Sequence, residues 1–304
     1  MNIIVTTGYP FTDIDSLACA IAYSELLSKS NVDSKVVLVG LMNSSITKTI
    51  KKWDVNYDKD LKINSEYGYV LVDISEPDYF PSFANLRNVI EVWDHRFGYR
   101  DFWKNKKVRI VIEEVGSCAT LIWEEFKRLK LENKISKVSA NLLYTAIFSN
   151  TLNFNASVTT ERDIKAFEEL KKYIELPENW IKIYYKESEE QVLANPDLSI
   201  KNDTKVIDVK KRNIKITISQ IELWNSFEFV DKNKEIIKNV LSSFGNEEWF
   251  ITAPSISEGK NYIYTENSKI KDLLLNLIEA KFEGDIGVTS KLWLRKEILK
   301  KMLI

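Results

Sequence analysis

Two aspartates separated by one residue, Asp13 and Asp15, lie on the stretch Gly8-Tyr9-Pro10-Phe11-Thr12-Asp13-Ile14-Asp15-Ser16, directly after an apolar β run from Asn2 to Thr7. Carboxylates so spaced on a turn can aim into one small volume, where their repulsion is relieved by a shared cation. A divalent metal site is the chemistry this pair suggests. Further along, Gly68-Tyr69-Val70-Leu71-Val72-Asp73 and Asn88-Val89-Ile90-Glu91-Val92-Trp93-Asp94-His95 are again apolar runs closed by a carboxylate, and the second carries the chain's only histidine. One aspartate after a strand is commonly a turn or cap residue. Three strands that end this way make Asp13, Asp15, Asp73, Asp94 and His95 a candidate site. Alone, His95 would more often be a hydrogen-bonded structural residue; beside these carboxylates it reads as a ligand.

The elements that must position these residues follow from the pattern. Gly8 and Pro10 close the first strand, and Asp15 or Ser16 can cap the helix that begins at Leu17. A second apolar strand runs from Ser34 to Gly40, and a helical run reaches Trp53. Strand and helix alternate through Arg109-Ile110-Val111-Ile112, which predicts βαβ units and a parallel sheet whose strands all finish on one edge. Gly116-Ser117-Cys118-Ala119-Thr120 opens a helix to Leu129. Its free N–H groups suit an anion, and a plain helix cap explains the same residues. Ser139 to Phe148 reads as a buried helix ending at Ser149-Asn150-Thr151, and Thr160 to Tyr173 as another. The stretch from Tyr184 to Thr204 is polar and broken by Pro196. Beyond it, Asn213 to Gln220 alternates cleanly, which predicts a half-exposed strand in a second sheet. The expectation is an α/β chain with a parallel-sheet domain over residues 1–188 and a smaller α+β domain over 189–304.

At 304 residues, two domains are the better expectation than one. The 43 basic and 44 acidic side chains leave a net charge near zero, so bulk charge does not argue for nucleic acid. A phosphate ligand would have to be held locally. Cys19 and Cys118 are too far apart in sequence for a paired-cysteine motif and read as buried free thiols. No run approaches the ~20 apolar residues of a membrane span, and no secretory leader pattern opens the chain. These features predict a cytoplasmic protein without a membrane partner; a homodimer stays open.

The ordered motifs Gly8 to Ser16, Leu71-Val72-Asp73, Val92-Trp93-Asp94-His95-Arg96, Gly116 to Thr120 and Ser149-Asn150-Thr151-Leu152-Asn153-Phe154 resemble those of the DHH phosphoesterases. The branch they are most similar to is the family II inorganic pyrophosphatases and related exopolyphosphatases, whose second domain is called DHHA2. Ile216 to Glu222 and Leu294-Arg295-Lys296 resemble a strand and the phosphate clamp of that second domain. The resemblance implies an active-site cleft between the domains and hydrolysis of pyrophosphate or a related phosphoanhydride or phosphoester. It implies one or two Mn²⁺ or Mg²⁺ ions. Asp13 and Asp73 would hold one ion; Asp15, Asp73, His95 and the amide oxygen of Asn150 would hold the other. Asp94 would orient His95. Arg96, Arg295, Lys296 and Lys205 would meet a small phosphate-containing substrate. The chain also departs from the family pattern: Tyr9 and Arg96 stand where the relatives carry histidine, Thr12 where they carry proline, and Asn150 where they carry aspartate. Losing an imidazole and a carboxylate implies weaker metal binding, a shift toward Mg²⁺, or a single ion. An exopolyphosphatase or nucleotide phosphoesterase, and a pseudoenzyme that binds a phosphate-containing ligand without turnover, are the alternative functions.

Overall fold

The computed structural model describes residues 2–61, 67–96 and 99–303. Two compact units divide the chain: Met1–Phe154 with Val158–Ile181, and Asn155–Ser157 with Lys182–Ile304.

In the first unit the elements are β1 (Asn2–Thr6), β2 (Phe11–Thr12), α1 (Ile14–Lys29), β3 (Ser34–Val37), β4 (Leu41–Met42), β5 (Tyr67–Val72), β6 (Val89–Asp94), α2 (Arg100–Trp103), β7 (Arg109–Ile112), α3 (Cys118–Arg128), α4 (Lys137–Asn150) and α5 (Glu161–Leu170). Five strands form one sheet in the order β3-β1-β5-β6-β7, and every pair is parallel. The chain lays down β1, steps to β3 on one side, then crosses back to β5 on the other. Ligands in open parallel sheets bind at such a reversal, outside the carboxyl ends of the strands. Here the reversal lies between β1 and β5: Asp73 follows β5 directly, and Asp13 and Asp15 follow β1 after the short strand β2. The helical run expected before Trp53 is a single 3-10 turn, Ile50–Lys52.

Asp13, rather than Asp15 or Ser16, caps α1, accepting the N–H of Ser16 at 2.9 Å. Helix α1 packs on β1, β3, α3 and α4, so it is apolar on most of its circumference, and Leu17, Ala18, Cys19, Ala20 and Ala22 are buried. Gly116, just before α3, donates its N–H to Asp163 in α5 at 2.8 Å. Asp163 also accepts from the Thr120 hydroxyl at 2.6 Å and the Thr160 N–H at 2.8 Å. The sequence reading missed Asp163, although Thr160 and Asp163 carry the spacing of a capping box.

The second unit contains α6 (Trp180–Ala194), whose first residues belong to the first unit, α7 (Pro196–Asn202), β8 (Thr204–Val209), β9 (Ile214–Gln220), α8 (Phe227–Lys232), α9 (Lys234–Ser242), β10 (Trp249–Ser255), β11 (Lys260–Tyr264), α10 (Ser268–Ile278), β12 (Lys281–Glu283), β13 (Ile286–Val288) and α11 (Arg295–Leu303). The polar stretch before Thr204 is thus largely helical, with Pro196 in the first turn of α7, where its missing N–H breaks no bond. The strands form a mixed sheet, β12-β13-β11-β10-β9-β8. Strand β9 is not half-exposed, for Ile216, Thr217, Ile218 and Ser219 are all buried. Its polar face is covered because the hydroxyls find partners: Ser219 donates to the Ile200 carbonyl at 3.1 Å, and Thr217 accepts from Asn246 at 2.9 Å. Buried Asn261 on β11 donates to the Trp293 carbonyl at 2.7 Å and accepts the Trp293 N–H at 2.8 Å. That pairing ties the segment leading into α11, and so the backbone that carries Arg295 and Lys296, to the sheet.

A methyl group on Gly116 would stand 2.4 Å from Thr151 Cγ2 and 3.0 Å from Asp163 Oδ2. We expect Gly116→Ala to lower unfolding stability in urea by about 2 kcal/mol; an unchanged midpoint would show that α3, α4 and α5 do not meet as described.

Candidate metal centre

Asp15 occupies the first turn of α1 and is fully buried. Its carboxylate accepts the N–H groups of Cys118 and Ala119, each at 2.9 Å, and the Ser117 hydroxyl at 2.8 Å. These are the free donors at the start of α3, capped by Ser117 itself. The anion expected at this helix N-terminus is therefore the side chain of Asp15. Asn150, the last residue of α4, adds its Nδ2 at 2.5 Å.

Asp73 follows β5 with φ of 57°, a left-handed conformation that Asp adopts more readily than most residues. Its Oδ2 accepts from the Ser16 hydroxyl at 2.6 Å and from Arg96 Nη2 at 3.1 Å, while Arg96 Nη1 donates to the Asp73 carbonyl. Its Oδ1 is buried without a hydrogen-bond partner. His95 Nε2 stands 3.5 Å from that oxygen and 3.7 Å from Asp15 Oδ2. Both separations exceed the about 2.7–3.2 Å of a nitrogen–oxygen hydrogen bond. They suit donors spread around one cation about 2 Å from each. The other ring nitrogen, Nδ1, lies 3.1 Å from the Val115 carbonyl. If that nitrogen carries the proton, as its acceptor requires, the lone pair of Nε2 faces the carboxylates. One donor atom from each of Asp15, Asp73 and His95 falls within 4.8 Å of the others, and all three residues are buried.

The electrostatics follow from this crowding. Burial, then the neighbouring Asp73, push the carboxyl of Asp15 up to about 6, against the pull of His95. Burial and Asp73 raise Asp13 in the same way. Burial would raise Asp73 also, but the Arg96 guanidinium and His95 outweigh it and hold Asp73 below the usual carboxylate range. Two hard carboxylates and an imidazole, one oxygen left unpartnered, fit a Mn²⁺- or Mg²⁺-type ion.

The remaining expected residues fall differently. Asp94 does not orient the His95 ring; it accepts the backbone N–H groups of His95 at 2.8 Å and Arg96 at 3.1 Å, and the Ser75 hydroxyl at 2.5 Å. Ring orientation comes from Val115, a carbonyl that no side-chain pattern marks. Asp13 caps α1 through Oδ1 and lies outside the three-residue donor group. Asn150 serves Asp15 through its nitrogen, and Tyr9 is 54% exposed. In the second unit, Arg295 Nη1 pairs with Asp203 Oδ1 at 2.7 Å. Lys296 is half-buried in the first turn of α11, and Lys205 is exposed on β8. Ser16, Ser75 and Ser117 went unnoticed as site residues. Their adjacency to Asp15, Asp73 and the Gly116 turn was the available signal.

Fold and site together give a two-unit α/β protein with a candidate carboxylate–histidine metal centre at a sheet reversal, bordered by motifs that resemble those of the DHH phosphoesterases. No model of a known protein family matches the chain. It is 25% identical over 311 residues to a probable manganese-dependent inorganic pyrophosphatase of Clostridium acetobutylicum, covering 98% of this chain and 96% of that one. It is 29% identical over 172 residues to the corresponding protein of Bacillus licheniformis, 56% of this chain and 55% of the other. Among solved structures, a Methanococcus jannaschii protein assigned to the family II inorganic pyrophosphatases superposes with a TM-score of 0.77 at 22% identity, over 100% of this chain and 98% of its own. An exopolyphosphatase-related protein of Bacteroides fragilis gives 0.52 at 12% identity, over 99% and 90%. The resemblance read from the motifs therefore runs the length of the chain.

A carboxyl raised to about 6 in the fold, from about 3.9 unfolded, costs stability as it ionises, so the metal-free protein is weakened by Asp15 as pH climbs through that window. Asp73, held low, acts in the opposite sense and only below about 4. A bound cation removes the Asp15 penalty and needs the ionised form. We therefore expect saturating Mn²⁺ to raise the melting temperature more at pH 7 than at pH 5, measured by calorimetry; equal shifts would contradict this electrostatic picture.

Proposed function

We propose that this chain is a metal-dependent phosphoanhydride hydrolase acting on inorganic pyrophosphate or a closely related compound. The observation that carries this reading is the Asp15, Asp73 and His95 donor group, with one Asp73 oxygen buried and unpartnered. Relatives named as manganese-dependent inorganic pyrophosphatases, one of them matched over 98% of this chain, support the substrate class. A divalent ion, when bound, acidifies water and draws charge from a phosphoryl oxygen.

The chain's own residues prepare that chemistry. Asp15 and Asp73 present carboxylate oxygens, and His95 presents Nε2 because the Val115 carbonyl fixes its other nitrogen. Ser16 and Ser117 hold the two carboxylates in place by hydrogen bonds from their hydroxyls. Asp94 anchors the backbone of the His95-Arg96 turn. Arg96, Arg295, Lys296 and Lys205 are the cations proposed for phosphate oxygens. Arg96 would have to share its guanidinium with Asp73, and Arg295 with Asp203. The two cysteines, buried and unpaired, support a reducing, cytoplasmic setting. Among the described residues, no helix is long and apolar enough to cross a membrane.

A second reading, a phosphate-ligand binder without turnover, is favoured by one observation: Arg96 already occupies Asp73 Oδ2. Phosphate release from pyrophosphate, tripolyphosphate and nucleoside triphosphates, each with Mn²⁺ and Mg²⁺, separates the two. We expect release from pyrophosphate, and a loss of at least about 100-fold in His95→Ala. No release with either ion, despite thermal stabilisation by pyrophosphate, would establish the binder instead.

A further inference from the structure

We propose that the centre takes a single divalent ion and that the guanidinium of Arg96, a fixed part of the chain, supplies the second positive charge its carboxylates require. The inference rests on the reading of Asp15, Asp73 and His95 as ion ligands, and asks what the rest of the cluster leaves for a second ion. Asp73 is the carboxylate that the motif resemblance would have hold both ions, and its two oxygens are used unequally. Oδ1 has no hydrogen-bond partner and faces His95 Nε2. Oδ2 is taken from two sides, by the Ser16 hydroxyl at 2.6 Å and Arg96 Nη2 at 3.1 Å. A second metal ion at Oδ2 would have to displace the guanidinium, a positive charge already in place there.

Arg96 is held for this task rather than lying against Asp73 by chance. Its Nη1 donates to the Asp73 carbonyl, so the guanidinium grips backbone and side chain together. Its own N–H is accepted by Asp94, which fixes the turn from which the side chain departs. Of the other groups that a second ion would need, Asp13 has one oxygen, Oδ1, committed to capping α1, and Tyr9, 54% exposed, offers a phenol in place of a strong nitrogen donor. Asp15 and Asp94 each take a hydroxyl and two backbone N–H groups. Of Asp13, Asp15, Asp73 and Asp94, it is Asp73 that takes a guanidinium. Lysine could supply the charge but not the two-point grip, so the role is electrostatic first and geometric second.

The test is the number of Mn²⁺ ions per chain in the wild-type protein, by elemental analysis after desalting and by calorimetric titration, with the electron paramagnetic resonance spectrum of the loaded protein. We expect close to one ion and the spectrum of an isolated Mn²⁺. Two ions with a spin-coupled spectrum would overturn this inference while leaving the metal reading intact, and no bound ion would overturn both. Arg96→Gln, which removes charge repulsion on the ion, should bind Mn²⁺ about tenfold more tightly. Arg96→Lys should stay near the wild-type affinity. Unchanged or weaker binding in a folded Arg96→Gln protein would show that Arg96 is not the compensating charge.

Discussion

Like charges buried together set the terms for the first unit. Two unit charges 4 Å apart repel by about 4 kcal/mol even at an effective dielectric of ~20. Asp15 and Asp73 are both essentially inaccessible to water. Such a pair persists only where positive potential has been built around it. The chain supplies it from several sources: the N-terminus of α3 and the hydroxyl of Ser117 for Asp15, and the hydroxyl of Ser16 and the guanidinium of Arg96 for Asp73. The oxygen these donors leave uncovered is the one that faces His95. The site is thus defined as much by where the protein withholds a hydrogen bond as by where it provides one.

Sheet topology turns that local demand into a place. Because β1 sits between β3 and β5, the chain leaves the sheet edge in opposite directions on either side of the reversal, the place where open α/β sheets bind ligands. Asp15 enters from the helix after β1, Asp73 from the end of β5, and His95 from just past β6. Helix α3 begins after β7, which brings its free N–H groups to the same edge. The left-handed backbone at Asp73, at a cost of about 1–2 kcal/mol for a residue with a side chain, ends β5 abruptly where its carboxylate is needed.

Much of this was visible in the order of residues, and the omissions have physical causes. Apolar runs ending in aspartate announced the parallel sheet and the convergence of Asp15, Asp73 and His95, because strand direction is encoded by local pattern. The half-exposed reading of β9 failed because alternation records polarity, not exposure, and Thr217 and Ser219 are buried with partners. Val115 took the ring-orienting role expected of Asp94, because a backbone carbonyl carries no residue identity and so leaves no mark in sequence. Arg96 drew attention as a departure from a family pattern, but its grip on Asp73 depends on the turn held by Asp94, a contact made through the backbone N–H rather than by side-chain type. The helix N-terminus at Ser117 was recognised as anion-seeking; that the anion is a side chain 102 residues away could not be read locally.

Ser16 and Ser117 illustrate why such a centre is more than its ligands: each hydroxyl fixes one carboxylate, and each stands beside a residue already conspicuous in sequence. The most direct measurement of whether these groups gather around a cation is anomalous scattering at the manganese edge from crystals grown with Mn²⁺. A peak about 2 Å from Asp73 Oδ1, His95 Nε2 and an Asp15 oxygen is the expected result. Fully occupied Mn²⁺ elsewhere in the crystal, with no peak among these three side chains, would contradict it.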